Sequence, residues 1–263
     1  MQAVGVHEDV IVARSVMWQT TCTIVHRDEE CFVVDSPVFQ DELDALPALL
    51  AQARWALSGL LCTHGDWDHL LARLVFPDAA LGCAETTAAR LRAEPGAAQR
   101  ALREFDDEHY VERPRPLSLG ALQALPAPGR LEIGDVEMEL LPADGHTQDG
   151  MALWLEWAGV LLCGDYLSPV EIPWLQEQGS RDAYLATLER LRPYVERAGW
   201  VVPGHGTPLD GPRALAILRE DVAYLSALPD PDAPLPLARR SPRQRAIHAE
   251  NLARLAAGGG PGP

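Results

Sequence analysis

Leu57-Ser58-Gly59-Leu60-Leu61-Cys62-Thr63 runs directly into His64-Gly65-Asp66-Trp67-Asp68-His69, so that a mostly apolar stretch ends in a loop of histidines and aspartates. A short apolar run closed by a glycine-bearing polar loop reads as a buried strand over 57–63. Strand ends are where a sheet presents side chains to a shared cleft. In an extended loop, alternate spacing sets His64 beside Asp66, while Asp68 and His69 turn toward a neighbouring point. Imidazole and carboxylate together suit zinc, iron or manganese.

The same ending recurs downstream. His146 stands in Asp144-Gly145-His146-Thr147, Asp165 closes Leu161-Leu162-Cys163-Gly164-Asp165, and His205 lies in Pro203-Gly204-His205-Gly206. Taken singly, each of these residues is more often a cap or a solvated loop residue. Their recurrence after successive apolar runs is what points to one metal-binding constellation.

Outward from that loop, the pattern predicts strands at 10–13, 20–26 and 31–35, the last two joined by a polar turn. A helix is predicted over 41–56, with Leu43, Leu46, Leu49 and Leu50 on one stripe. Strand, helix, strand in that order implies layered α/β architecture. The segment 86–108 is helical in period, and 114–128 is too rich in proline for regular helix or a central strand, so 86–128 reads as a surface excursion. Strands follow at 136–141, 152–157, 160–163 and 200–202. Helices follow at 180–197, with Tyr184, Leu188, Leu191 and Val195 inward, and after 211 at 212–228 and 241–257. The tail 258–263 reads as disordered. No linker divides the chain, so one domain over 1–263 is expected.

The 263 residues are 47% hydrophobic, enough for a sizeable core. The 22 basic residues against 38 acidic ones leave a formal charge of -16, which repels nucleic acid and anionic lipid surfaces. Every basic residue is arginine and Asn251 is the single asparagine, a pattern of coding bias in a GC-rich bacterial genome. Lacking lysine, the chain has neither Schiff-base chemistry nor a P-loop. Cys22, Cys31, Cys62, Cys83 and Cys163 are scattered and odd in number, so they read as buried thiols in a reducing compartment. With no signal-peptide pattern and no membrane-spanning run, a cytoplasmic protein is expected.

From Val33-Val34-Asp35 to Pro203-Gly204-His205-Gly206, the chain resembles the metallo-β-lactamase superfamily of hydrolases, whose defining loop is HxHxDH. The resemblance implies a four-layer αβ/βα sandwich with two divalent metal ions at one edge, most simply zinc. By position it implies His64, Asp66 and His146 on the first metal, Asp68, His69 and His205 on the second, and Asp165 bridging them. Asp66 departs from the family, which usually has histidine there. A carboxylate still ligates from that place, or else it hydrogen-bonds a neighbouring ligand and leaves the first site weak. As a ligand it removes one positive charge from the centre and makes the first site harder, which favours iron or manganese.

The expected reaction is attack by a metal-bound hydroxide on a small ester, thioester or lactone, with Asp68 also carrying a proton to the leaving group. The alternatives are a small-molecule phosphodiesterase and an iron-dependent oxygen or persulfide redox enzyme on the same fold. Met17, Trp18, Tyr166 and Trp174 are candidates for the walls of a small-molecule pocket. The oligomeric state is not legible.

Overall fold

The computed structural model describes residues 1–257; the expectation for the tail at 258–263 lies outside them. Two sheets pack face to face with helices on their outer surfaces. The first sheet holds β1 (Gln2–His7), β2 (Val10–Arg14), β3 (Thr21–Arg27), β4 (Glu30–Asp35), β5 (Ala56–Leu61), β6 (Leu81–Ala84) and β7 (Leu122–Leu125), in that order across it. β1 to β4 run antiparallel, and β4 to β7 run parallel. The second sheet follows the order β13 (Leu209–Asp210), β12 (Trp200–Val202), β11 (Val160–Leu162), β10 (Met151–Leu155), β9 (Val136–Pro142) and β8 (Gly129–Ile133). It is antiparallel except for the β11–β12 pair.

Side-chain alternation builds three apolar layers from these strands. In β4, Phe32 and Val34 face the second sheet, whereas Cys31 and Val33 face outward to α1 (Gln40–Ala53) and α3 (Ala97–His109). In β10, Met151, Leu153 and Leu155 face the first sheet, while Ala152 and Trp154 face α4 (Arg181–Arg197) and α5 (Gly211–Ala227). α6 (Pro242–Ala256) adds Ile247 to this outer layer. The result is the αβ/βα sandwich. All four residues predicted to face inward from α4 are buried, and Ser180 caps that helix by accepting the Ala183 N–H.

α1 ends at Ala53, short of the expected 56, because Arg54 takes a left-handed conformation (φ 62°) and closes the last turn. β1 is an edge strand of largely exposed residues whose weak apolar pattern hid it from the sequence reading. The reading of 86–128 as a surface excursion is corrected. Pro95-Gly96 splits it into α2 (Glu85–Ala93) and α3, and Thr87, Ala88, Ala98, Leu102 and Phe105 are buried against the first sheet. Beyond the first prolines, Leu122–Leu125 adds the edge strand β7, a position proline-flanked chain tolerates.

β9, β11 and β12 run the same way, so their carboxyl ends open on one edge of the second sheet. The loops that follow them meet those after β4 and β5. Among the described residues no helix is long and apolar enough to cross a membrane.

Leu153, fully buried between the sheets, tests this layering. Leu153→Ala is expected to cost about 3 kcal/mol by chemical denaturation, as for other buried leucine truncations; a loss under about 1 kcal/mol would place the residue outside a packed core.

Candidate metal centre

The apolar end of β5 fixes where His64 emerges. Thr63 is buried, and its backbone N–H donates to Asp35 Oδ1 at 2.7 Å, tying the loop after β5 to the end of β4. The Thr63 hydroxyl donates to Asp35 Oδ2 at 2.9 Å, so its oxygen is free to accept from His64 Nδ1 at 3.2 Å. Asp35 Oδ2 also lies 3.1 Å from His69 Nδ1. One carboxylate thereby orients two imidazoles.

The other two histidines are held through backbone carbonyls. His146 Nδ1 donates to Trp174 O at 2.8 Å. His205 Nδ1 lies 3.2 Å from Trp18 O and 3.3 Å from the Thr20 hydroxyl. With the Nδ1 atoms of His64, His146 and His205 engaged and that of His69 beside Asp35, all four Nε2 atoms lie close to Asp165. The distances to its carboxylate are 3.7 Å from His64, 3.3 Å from His69, 3.3 Å from His146 and 3.3 Å from His205.

Asp66 and Asp68 complete two flanking groups. Asp66 Oδ2 is 3.5 Å from His64 Nε2 and 3.7 Å from His146 Nε2. Asp68 Oδ2 is 3.8 Å from His69 Nε2 and 3.6 Å from His205 Nε2. The ligand atoms of His64, Asp66 and His146 lie within 4.8 Å of one another, as do those of Asp68, His69 and His205. The structure thus brings all seven predicted ligand residues together.

Among the described residues, buried His64 Nε2, both ring nitrogens of His69 and Asp165 Oδ1 have no hydrogen-bond partner. Buried polar atoms are ordinarily satisfied, and nitrogen and oxygen atoms converging in this way fit divalent cations. Two glycines make the approach possible. A Cβ on Gly204 would stand 2.1 Å from Asp165 Oδ1, and Gly164 takes φ 56° with Thr63 against it.

Burial opposes charge on these groups, and their mutual attraction more than reverses it. Asp66 and Asp165 are held well below the usual carboxylate range by the imidazoles around them. His69 and His146 are raised by the neighbouring carboxylates, and His205 is pushed up to about 10 by Asp165, Glu171 and Asp68.

The sequence reading missed the groups that grip Asp66. Arg90 of α2 donates from Nη2 to Asp66 Oδ1 at 2.9 Å and from Nη1 to Asp149 Oδ1 at 2.8 Å. Gln176 Nε2 donates to Asp66 Oδ2 at 2.6 Å. Nothing in the spacing of Arg90 sets it apart from its neighbour Arg92 on the same helix.

Beside the cluster opens a cavity of about 300 Å³, walled by Trp18, Trp67 and Trp174, with Asp66, Asp68 and Asp165 exposed to it. Trp18 packs edge-on to Trp67 at 5.7 Å and to Phe105 at 5.2 Å, which joins the β2–β3 loop to α3. Of the predicted wall residues, Trp18 and Trp174 line the cavity. Met17 instead packs into the layer under α1 and α3. Tyr166 is buried behind the centre against Tyr184, and its hydroxyl accepts the His146 N–H at 3.2 Å. Both are corrections: their apolar surfaces serve the core rather than the cleft.

Residues 16–205 match the sequence pattern of the metallo-beta-lactamase superfamily, and the chain belongs to that superfamily. Solved structures show the same fold at low identity. The DIM-1 metallo-beta-lactamase exposed to ceftazidime is 18% identical, with 86% of this chain and 96% of that chain covered and a TM-score of 0.61. A metallo-beta-lactamase from Pontibacter korlensis is 16% identical, covering 83% and 98%, with a TM-score of 0.59. TTHA1623 in a di-iron-bound form is 20% identical, covering 78% and 96%, with a TM-score of 0.61. No curated protein matches the chain.

The raised histidines predict how a cation enters. In protein stripped of metal, His69, His146 and His205 keep their protons to higher pH than a free imidazole does, and each must lose its proton to ligate. Metal uptake is therefore expected to release protons and to tighten as pH rises toward about 10, the range over which His205 sheds its own. Titration calorimetry in buffers of different ionisation enthalpy reads the release; heats independent of buffer would count against it.

Proposed function

We propose that this chain is a metal-dependent hydrolase of small esters, thioesters or lactones, working with two divalent ions, zinc foremost. The convergence of four Nε2 atoms on Asp165 at the floor of a small tryptophan-walled cavity carries the reading. His64, Asp66 and His146 would hold one ion, Asp68, His69 and His205 the other, with Asp165 shared between them. Bound there, such ions acidify water and polarise an acyl oxygen.

The remaining work falls to the chain's own side chains. Asp68 faces the cavity, and its carboxylate takes a proton from the attacking water and returns it to the leaving group. Trp18, Trp67 and Trp174 shield the acyl group from solvent, and a cavity of about 300 Å³ suits a small substrate. A formal charge of -16 opposes nucleic acid as a partner. The five buried free thiols suit a reducing, cytoplasmic setting.

An iron-dependent reaction with oxygen or a persulfide is the second reading. It is favoured by the oxygen donor Asp66 in place of an imidazole and by a neighbour, TTHA1623, solved in a di-iron-bound form.

Asp165→Ala and His146→Ala are expected to abolish hydrolysis of a chromogenic ester, thioester, lactone and phosphodiester panel while circular dichroism stays unchanged. Near-native turnover of metal-quantified variants would overturn the ligand assignment. Oxygen uptake with a thiol persulfide, in wild-type protein that turns over none of the panel, would replace the hydrolytic reading with the redox one.

A further inference from the structure

Arg90 places a guanidinium against one half of the cluster and not the other. It is clamped from both sides. Nη1 is held by Asp149, whose other oxygen accepts the Gly65 N–H at 3.0 Å, and Nη2 is held by Asp66 Oδ1. Asp149 is buried, and the absence of a side chain at Gly65 lets its oxygen approach closely, so the two ion pairs hold the guanidinium between them.

Asp66 is therefore a shared donor. One oxygen is engaged by Arg90. The other, the atom that faces His64 and His146, accepts from the Gln176 amide, which also lies 3.3 Å from His146 Nε2. Among the described residues the Asp68 carboxylate has no such competitors: its ionic contacts run to His69 and His205. A cation entering the Asp66 half meets a carboxylate already partly neutralised, with an arginine charge directly behind it. Asp149 offsets the guanidinium charge on its other nitrogen, so the weakening works through the Asp66 oxygen that Arg90 engages rather than through net charge.

We infer that Arg90 makes the two halves unequal: the Asp68, His69 and His205 half takes a divalent ion first, and the Asp66 half takes a second ion more weakly by an amount that Arg90 sets. This rests on the reading of the cluster as a metal centre. It adds a role for a residue at the cavity wall whose hydrogen bonds run to Asp66 and Asp149. Arg90 is a positioning residue acting through Asp66.

The test is zinc binding measured by chelator competition and by metal-to-protein ratio after dialysis, independent of turnover. Wild-type protein is expected to bind two ions in steps separated by about tenfold or more, the scale on which groups behind a ligand tune affinity. Asp66→Ala should spare the tight step and Asp68→Ala should remove it. The double variant Arg90→Met with Asp149→Asn leaves no unpaired buried carboxylate at 149, and it should tighten the weak step about tenfold while moving the strong step less than about twofold. Gln176→Ala, which keeps Arg90, should tighten the same step by a smaller factor and guards against a folding defect in the double variant. Unchanged steps, or a weaker second step in both variants, would overturn the role given to Arg90 while leaving the metal centre standing. Wild-type protein that binds no zinc, iron or manganese would overturn the metal centre itself.

Discussion

The Asp165 carboxylate lies within 3.7 Å of the Nε2 atoms of four buried imidazoles, and the rest of the molecule is arranged around that crowding. Donor atoms packed this closely away from bulk water are costly unless positive charge joins them. Three of the imidazoles are held through their other nitrogen, by Thr63, Trp174 or Trp18, and the fourth, His69, is fully buried beside the Asp35 carboxylate, so the cluster has little freedom to turn a ring away. The two sheets supply the rigidity. Asp35 closes β4 and His64 follows β5, adjacent parallel strands of one sheet, and Asp165 and His205 follow adjacent parallel strands of the other.

How much of this was legible follows from what each residue shows in one dimension. His64, His146, Asp165 and His205 stand out because a polar, ligating residue directly follows an apolar run, and strand ends are where chemistry gathers. The inward face of α4 was legible because burial on one side imposes a period, and β10 and β11, buried on both faces, because their apolar runs are unbroken. Arg90 and Gln176 carried no such mark, lying 24 and 110 residues from Asp66 in sequence and meeting it only through the fold. Tyr166 was misread for the opposite reason. An aromatic next to a ligand looks like a cleft wall, but the left-handed turn at Gly164 and Leu167 carries its ring back into the core. The segment 86–128 was misread because proline masks the short strand that follows it, and because α2 and α3 contribute modest, alanine-rich faces.

Those helices matter to the cleft. Leu91, Ala97, Ala98 and Ala101 line the same cavity as the three tryptophans, so a stretch that looked like a surface excursion forms one of its sides. The small alanine side chains leave room there, and the edge-on and tilted contacts among the Trp18, Trp67 and Phe105 rings bind that side to the metal-ligand loop itself, since Trp67 lies between Asp66 and Asp68. Packing in the cavity wall is thus coupled through a single residue to the geometry of both flanking carboxylates.

The same coupling changes how Asp66 should be counted. Read from sequence, aspartate in place of histidine subtracts one charge from the centre. In the fold, Asp66 and Asp149 share the single Arg90 guanidinium, at 2.9 and 2.8 Å. The three groups together carry the same one negative charge that Asp66 carries alone, so the arginine draws on one Asp66 oxygen without cancelling the charge the aspartate adds. What sets this position apart from a neutral imidazole is therefore both that charge and the donor itself, a harder oxygen on a shorter arm.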